Sequence, residues 1–299
     1  MVGPPELLLR IWALIDSKGP LLGLRLNPAK CEWTWLDPSD PRPSPIRNVP
    51  LTPLDGVSIL GVPLGSPLNC SSFVGASLLP AFSGVVEHLV DFEDSQSALF
   101  LLRASFSSVR ATHFMRTTPL PLWSEVATAF DAKLRLAAES IVGFPFPSPA
   151  YTQAALTPRL GGLGLRRVVD HADVALAASR YSSSLVCGEV WSPPPPLSPS
   201  QHEASRVIDE AIYGRLLASA PDRRERQRLA RLACEHAGAW ISAVPSSLDG
   251  TDTIFPPRTF RVAVALRLGV PVLPSAASCS LHAVLRPHGR PRLMLQQDR

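Results

Sequence analysis

Lysine is scarce in this chain, and two adjacent aspartates do not occur in it. Only Lys18, Lys30 and Lys133 are lysines among the 29 basic residues, so 26 are arginines. The formal net charge is +4, and arginine suits bidentate contact with phosphate. This balance is compatible with a polyanionic partner but does not require one, because a GC-rich coding sequence would also favour arginine.

Long apolar runs and paired cysteines are also missing. No uninterrupted run of 18 apolar residues occurs, so the sequence predicts no membrane span. The start of the chain lacks a basic and then apolar stretch, so no signal peptide is expected. No two cysteines have Cys-x-x-Cys spacing, which predicts free thiols in a reducing, intracellular compartment, nuclear or cytoplasmic. The five are Cys31, Cys70, Cys187, Cys234 and Cys279.

Proline, in contrast, is abundant. The 32 prolines predict many short elements, because proline lacks the N–H that a helix interior needs. Four consecutive prolines at 193–196 predict a stiff polyproline II spacer, and we place a linker at 191–200. A plain linker is favoured over the alternative, a ligand for an SH3 or WW domain.

Apolar periodicity predicts an α+β fold that is mainly α-helical with a small antiparallel β part. A strand is predicted at 21–27, where leucines alternate, and a second strand at 57–64, where Gly61 and Pro63 indicate a tight bend or an edge position. Helical spacing predicts the remaining elements. These are helices within 5–18, 72–142, 167–186, 201–219, 222–243 and 258–268.

Four patterns resemble the reverse transcriptases of non-LTR (LINE-like) retrotransposons, in that family's order. Residues 23–32 resemble the strand and turn after the catalytic Asp-Asp motif, and 59–65 resemble the primer-grip hairpin. Residues 101–116 resemble the thumb helices, and 153–179 a bend and helix downstream of the thumb. The resemblance implies a partial palm at 1–70, a thumb-like helical bundle at 71–190, and a C-terminal helical unit with an irregular tail at 201–299.

The resemblance also implies what this chain cannot do alone. The intact family enzyme binds Mg²⁺ through carboxylates of the palm, including an aromatic-x-Asp-Asp hairpin, and such chemistry needs two metal ions. This chain has no Asp-Asp dipeptide and resembles the family only from after that motif. We therefore expect a truncated RNA-directed DNA polymerase fragment that does not polymerise and that holds no cofactor.

Within the palm-like part, Lys30 resembles a lysine that protonates the leaving pyrophosphate in such polymerases. A surface lysine after a turn is the favoured alternative. Leu60 and Gly61 resemble the residues that place a primer end, because glycine allows a close approach of the backbone. A simple hairpin bend explains the same two residues equally well.

Arginines are the candidate nucleic-acid contacts, either to RNA or to DNA. Arg103 and Arg110 are seven residues apart, two helical turns, with Arg116 nearby. A denser basic run follows at 223–231, with an apolar face opposite it, and includes Arg223, Arg224, Arg226, Arg228 and Arg231. A solvated polar face explains both groups as well.

Two further clusters are weak metal candidates. Cys279, His282 and His288 have Cys-x-x-His spacing plus one histidine, but a structural zinc ion needs a fourth ligand. Asp91, Glu93 and Asp94 precede a predicted helix, so capping explains them better than metal binding. The alternative hypothesis for the whole chain is a repurposed helical module that binds an unknown protein partner and has no nucleic-acid role.

Overall fold

The computed structural model describes residues 4–34, 49, 52–187, 200–246, 253–272, 277–278, 284–285 and 291–292. These residues are mainly helical, and the packing divides the chain into two units, Met1–Phe73 and Val74–Arg299. The coarse prediction of a mainly helical fold with a little antiparallel β structure is thus confirmed. Its identity as palm and thumb stays a prediction.

The first unit begins with helix α1, Pro5–Lys18. Pro4 and Pro5 start it, because a proline at the first helical position loses no hydrogen bond. Its apolar side is only half-buried: Leu8 and Trp12 pack against a small cluster of Trp33 and Val49. The helix therefore has a packed side, but no residue of α1 is fully buried.

The predicted strand at 21–27 is wrong. Gly19–Leu22 continues α1 as a 3₁₀ turn, and the N–H of Leu24 bonds the carbonyl of Gly19 at 2.9 Å. Gly23, with φ of +76°, closes this turn. Alternating leucines form a strand only beside a pairing partner, and residues 24–27 pair with no strand among the described residues. Leu21, Leu22 and Leu24 are consequently exposed.

The second predicted strand folds back on itself as a short hairpin. Strands β1, Ser58–Ile59, and β2, Val62–Pro63, pair antiparallel. The chain reverses at Leu60 and Gly61, whose φ angles are +52° and +77°. Helix α2, Pro67–Val90, follows and continues into the second unit.

Helix α2 bears on the prediction that no segment of the chain spans a membrane. Within the described residues it is the single helix that is long and apolar enough to cross a bilayer, judged by length and composition alone. A core helix of a soluble protein passes the same test, so this is weak evidence. Only 22% of its most apolar stretch is buried.

The second unit contains the remaining helices. Helix α7 packs against α4, α5 and α8, while α11 packs against α3 and α6. Two-residue strands β3 to β5 pair antiparallel in that order near the end of the chain. The helices are α3 Ser95–Leu101, α4 Ser108–Thr117, α5 Ser124–Val142, α6 Ser148–Ala155, α7 Val168–Cys187, α8 Gln201–Ala218, α9 Arg223–Leu232, α10 Ala239–Ser242 and α11 Pro257–Leu268; the strands are β3 Ala277–Ser278, β4 Val284–Leu285 and β5 Pro291–Arg292.

Helix α5 supplies much of the core, since Phe130 and Leu134 are fully buried and the Phe130 ring lies 4.6 Å from that of Phe82. Helices α7 and α8 pack together although residues 188–199 separate them in sequence. The division expected between 71–190 and 201–299 thus does not coincide with a division in packing. The predicted proline spacer at 193–196 lies outside the described residues.

Two local predictions are confirmed, one about the start of a helix and one about a bend in the chain. The carboxylate of Asp94 accepts from the backbone N–H groups of Gln96 and Ser97, which makes it the N-cap of α3. Residues 161–165 form a tight bend, where Gly161 and Gly164 have φ angles of +84° and +81°. Glycine is required at these two positions because other residues rarely adopt that backbone conformation.

Candidate nucleic-acid interface

The candidate arginines Arg103, on the turn after α3, and Arg110, on α4, do not lie on one helical face. Residues Leu102–Phe106 form a π-helical turn and Ser107 leaves the helical conformation, so the seven-residue spacing no longer places Arg103 and Arg110 on one face. Arg110 and Arg116 are exposed on α4, and the Arg110 guanidinium lies over the Phe106 ring at 5.2 Å. These arginines therefore do not form the continuous basic face that the sequence predicts.

Arg103 is held by the protein itself. Its guanidinium donates to the carbonyl of Ile241 at 2.5 Å and lies over the Phe100 ring. Its side chain also packs so closely on Gly164 that an added Cβ would lie 2.7 Å from it. Burial lowers the pKa of Arg103. Its contacts are those of a residue that joins two segments rather than one that reaches out to a phosphate.

Helix α9 carries the denser arginine run on a well-defined amphipathic element. Asp222 caps it by accepting from the N–H of Glu225 at 2.7 Å. Leu229 anchors it in an apolar cluster with Leu156, Ile212 and Leu216. The predicted helix at 222–243 is shorter than expected, since α9 ends at Leu232 and a turn leads to α10.

The five arginines of α9 differ in their exposure to solvent. Arg223, Arg224, Arg226 and Arg231 are exposed, whereas Arg228 turns inward. The Arg228 guanidinium donates to both carboxylate oxygens of Glu225, at 2.5 and 2.8 Å, and to the side-chain oxygen of Gln153. It also donates to the carbonyl of Arg267. Arg228 is thus a fixed part of the protein, not a free cation.

Arg267 lies behind Arg228 and is 3% exposed. Its guanidinium donates to the carbonyls of Pro158, Gly162 and Ala237, at 2.7 to 3.1 Å, and lies over the Trp240 ring. Burial, and next the charge of Arg228, lower the pKa of Arg267 to about 10. This arginine ties α11 to the glycine bend and to the segment before α10.

A cleft of about 580 Å³ opens between α9 and the end of α11. Arg224 and Arg231 lie along its α9 side, two helical turns apart, and have no ion-pair partner in the described part of the chain. Of the two acids in the cleft, Glu225 pairs with Arg228, and Asp222 caps α9 but keeps its negative charge. The lining therefore carries three arginines against two carboxylates, a net charge of +1. The full lining is Asp222, Arg224, Glu225, Gln227, Arg228, Arg231, Leu232, Leu266, Gly269 and Val270.

The candidate residues of the first unit lie at exposed turns. Lys30 ends the 3₁₀ turn Pro28–Lys30, which Asn27 caps by accepting from the N–H of Ala29. Leu60 is 90% exposed at the tip of the β1–β2 hairpin, beside Gly61. The hairpin bend is therefore present, while a role in placing a primer stays a prediction.

The zinc candidates Cys279, His282 and His288 lie outside the described residues, so that prediction stays untested. Over the part of the chain that the structure describes, no group of three or more His, Cys, Asp or Glu residues could hold a metal ion. Cys31, Cys70 and Cys234 are free thiols.

Sequence reasoning missed a buried polar network between α7 and α8. Asp209 bonds Arg166 at 2.6 Å and lies 3.4 Å from Nε2 of His171. Burial alone would raise the pKa of Asp209, but the hydrogen bonds and charges of His171 and Arg166 hold that pKa below its usual range. The sequence predicts a helix at 201–219 but does not single out Asp209, whose burial at 2% exposure and need for partners are visible only in the structure.

No family model matches this chain, no curated protein matches it, and no solved structure matches it. The resemblance to non-LTR reverse transcriptases therefore depends on the quoted residues alone.

Proposed function

We propose that this chain binds nucleic acid through the cleft between α9 and α11, and that it is a reverse-transcriptase-like fragment that does not polymerise nucleotides by itself. The observation that carries the proposal is the pair Arg224 and Arg231, two exposed guanidinium groups on one side of α9 without a carboxylate partner among the described residues. Arginines without an ion-pair partner in a concave site attract phosphates more strongly than the same charges on an open surface.

Each arginine of the run then has a distinct role. Arg224 and Arg231 contact phosphates, and Arg223 and Arg226 add long-range attraction from the exposed sides of the helix. Arg228 is a positioning residue, because its bond to the carbonyl of Arg267 fixes α9 against α11, while Glu225 on the same helix holds its guanidinium in place. In this proposal Arg103 has no contact with nucleic acid.

The test is the salt dependence of binding to a fluorescent 12-nucleotide oligonucleotide, measured by anisotropy. Two phosphate contacts on a single strand contribute a slope of about −1.4 in log affinity against log salt. Arg224→Gln with Arg231→Gln should remove most of that slope and weaken binding about ten-fold at low salt. The control with the same charge change is Arg215→Gln with Arg258→Gln, two exposed arginines outside the cleft. Equal losses in both variants, or no binding by the unaltered chain, would contradict the proposal.

The absence of polymerase activity has its own test. In a primer-extension assay with Mg²⁺ and all four deoxynucleotides, the purified chain should add none, because it lacks the Asp-Asp pair on which the family's metal site depends. Incorporation by the chain alone would refute this part of the proposal without affecting the binding site.

A second candidate is a protein-interaction module, which the exposed leucines of the first unit favour. Leu7, Leu14, Leu21, Leu22 and Leu24 are between 47% and 78% exposed, an unusual concentration in residues 4–34. Light scattering of the chain and of a Leu21→Gln, Leu22→Gln variant distinguishes the candidates. An assembly that only the unaltered chain forms, together with no oligonucleotide binding, would favour this second function.

A further inference from the structure

The cleft between α9 and α11 has walls of two different kinds. Arg224 and Arg231 supply the charged wall on the α9 side, where Leu232 also lies, and Leu266 and Val270, at the end of α11, supply the apolar wall. Leu266 is the accessible part of that wall, since its side chain is 46% exposed while Val270 is buried. A ligand that fills this cleft must present phosphates on one side and an apolar surface on the other.

We propose that the cleft selects single-stranded nucleic acid over duplex, an inference that rests on the nucleic-acid binding proposed above. Only unpaired bases expose their faces, and single-strand sites combine a basic track with apolar side chains, most often aromatic, against which bases lie. In this cleft the accessible apolar side chain is Leu266. In a duplex the bases are stacked inside and the phosphates face outward, so a duplex would reach the arginines but not Leu266.

The spacing of the charged wall fits a short single strand. Arg224 and Arg231 are seven residues apart on α9, which corresponds to about 10 Å along the helix axis. At roughly 3.4 Å per nucleotide, that distance spans about three nucleotides of one strand. A cleft of about 580 Å³ likewise has room for a small part of a strand rather than for a double helix.

The floor of the cleft keeps this geometry fixed. The Arg228 guanidinium lies against Gly269, where an added Cβ would come within 2.9 Å of it, and Glu225 neutralises its charge. The backbone of Gly269 has φ of +69°, which ends α11 and turns the chain so that Val270 closes the apolar wall. The floor therefore contributes shape, and Arg224 and Arg231 supply the positive charges that no ion pair offsets among the described residues.

The experiment compares three probes on the full chain: a labelled 12-nucleotide oligothymidylate, the same strand paired with oligodeoxyadenylate, and inorganic tripolyphosphate as competitor. We expect the single strand to bind at least about ten-fold more tightly than the duplex. Leu266→Gln should weaken single-strand binding about five-fold with no effect on duplex binding. Val262→Gln, at an equally exposed position one turn earlier on α11, is the matched control and should change binding less than about two-fold.

The outcomes separate this inference from the proposed function. If duplex binds as tightly as single strand, or if Leu266→Gln and Val262→Gln behave alike, selection by the apolar wall is refuted while nucleic-acid binding stands. If tripolyphosphate displaces the single strand at equal phosphate concentration, charge alone accounts for binding and the inference is refuted. If no oligonucleotide binds, the proposed function itself fails. Thermal unfolding of both variants establishes that they are folded.

Discussion

The carboxylate of Asp131 accepts a hydrogen bond of 2.8 Å from the backbone N–H of Val168, the first residue of α7. Its second oxygen accepts from the N–H of Val169 at 3.1 Å. Helix α5 thereby caps α7 from 37 residues away, a role that capping rules assign to a residue next to the helix. Burial raises the pKa of Asp131 to about 6, although the two N–H donors oppose this shift.

This raised pKa predicts a specific dependence of stability on pH. The folded protein holds the Asp131 proton more tightly than the unfolded chain, whose pKa is near 3.8. The stabilisation is therefore fully present below about pH 4 and is lost as the pH rises through about 6. A shift of this size corresponds to about 2 to 3 kcal/mol in the free energy of unfolding.

Urea unfolding between pH 4 and pH 7 measures this effect. Asp131→Asn should remove the loss of about 2 to 3 kcal/mol that the unaltered chain shows over this range. Asp173→Asn, at an exposed position on α7, should leave the pH dependence unchanged. Parallel pH profiles for the unaltered chain and for Asp131→Asn would show that this carboxyl group does not titrate differently on folding.

Gly162 is limited by space rather than by backbone conformation. A Cβ added there would lie 2.0 Å from the carbonyl oxygen of Leu156 and 2.5 Å from that of Gln153. Gly162→Ala should thus lower the free energy of unfolding by about 2 to 4 kcal/mol, because backbone must move. Chemical denaturation of the variant and of the unaltered chain measures this difference in the free energy of unfolding.

The control for this substitution is Gly214→Ala, on α8, where an added Cβ would meet nothing within 4 Å. That variant should be more stable by about 0.5 to 1 kcal/mol, because alanine favours the helical state. If Gly162→Ala were as stable as Gly214→Ala, the bend at 161–165 would not be tightly packed.

The contacts of Arg267 predict that a lysine at this position would make the protein less stable. Its three carbonyl acceptors and its stacking on Trp240 need a planar group with several donors, which lysine lacks. Arg267→Lys should cost about 2 to 4 kcal/mol in unfolding free energy, since buried carbonyls lose their donors. Arg258→Lys, at an exposed position on the same helix, should change stability by less than about 0.5 kcal/mol. Equal stability of the two lysine variants would contradict this account.

How far the sequence predicts this structure depends on the range of the interactions involved. Helix α1, the cap at Asp94 and the bend at 161–165 were predictable, because proline, capping side chains and glycine act within a few residues. The 3₁₀ turn that replaces the predicted strand at 21–27 was not, since alternating leucines form a strand only with a partner strand, which the local sequence does not specify. The inward turn of Arg228 and the burial of Arg267 depend on carbonyls contributed from distant segments.

The candidate site shows the same limit. The arginine run of α9 is visible in the sequence, and the seven-residue spacing of Arg224 and Arg231 could have been noticed there. The apolar wall could not, because Leu266 and Val270 approach α9 only through the packing of α11. Arg103 and Arg110 have the same spacing but are separated by a π-helical turn, which periodicity does not reveal.

Leu60 occupies a backbone conformation that suits other residues better. Both residues of the hairpin turn have positive φ, the geometry of a type I′ turn, in which asparagine followed by glycine is favoured. The Leu60 side chain is 90% exposed, so it gains little packing in return. Leu60→Asn should therefore stabilise the hairpin by about 1 kcal/mol.

Hydrogen exchange at the N–H of Leu64, which bonds the carbonyl of Val57 at 2.9 Å, measures the local opening of this hairpin. Leu60→Asn should slow that exchange about five-fold, as expected for about 1 kcal/mol. Leu60→Val should accelerate it, because a β-branched residue tolerates positive φ least. Identical exchange in the two variants would mean that residues 57–64 open for reasons other than strain at the turn.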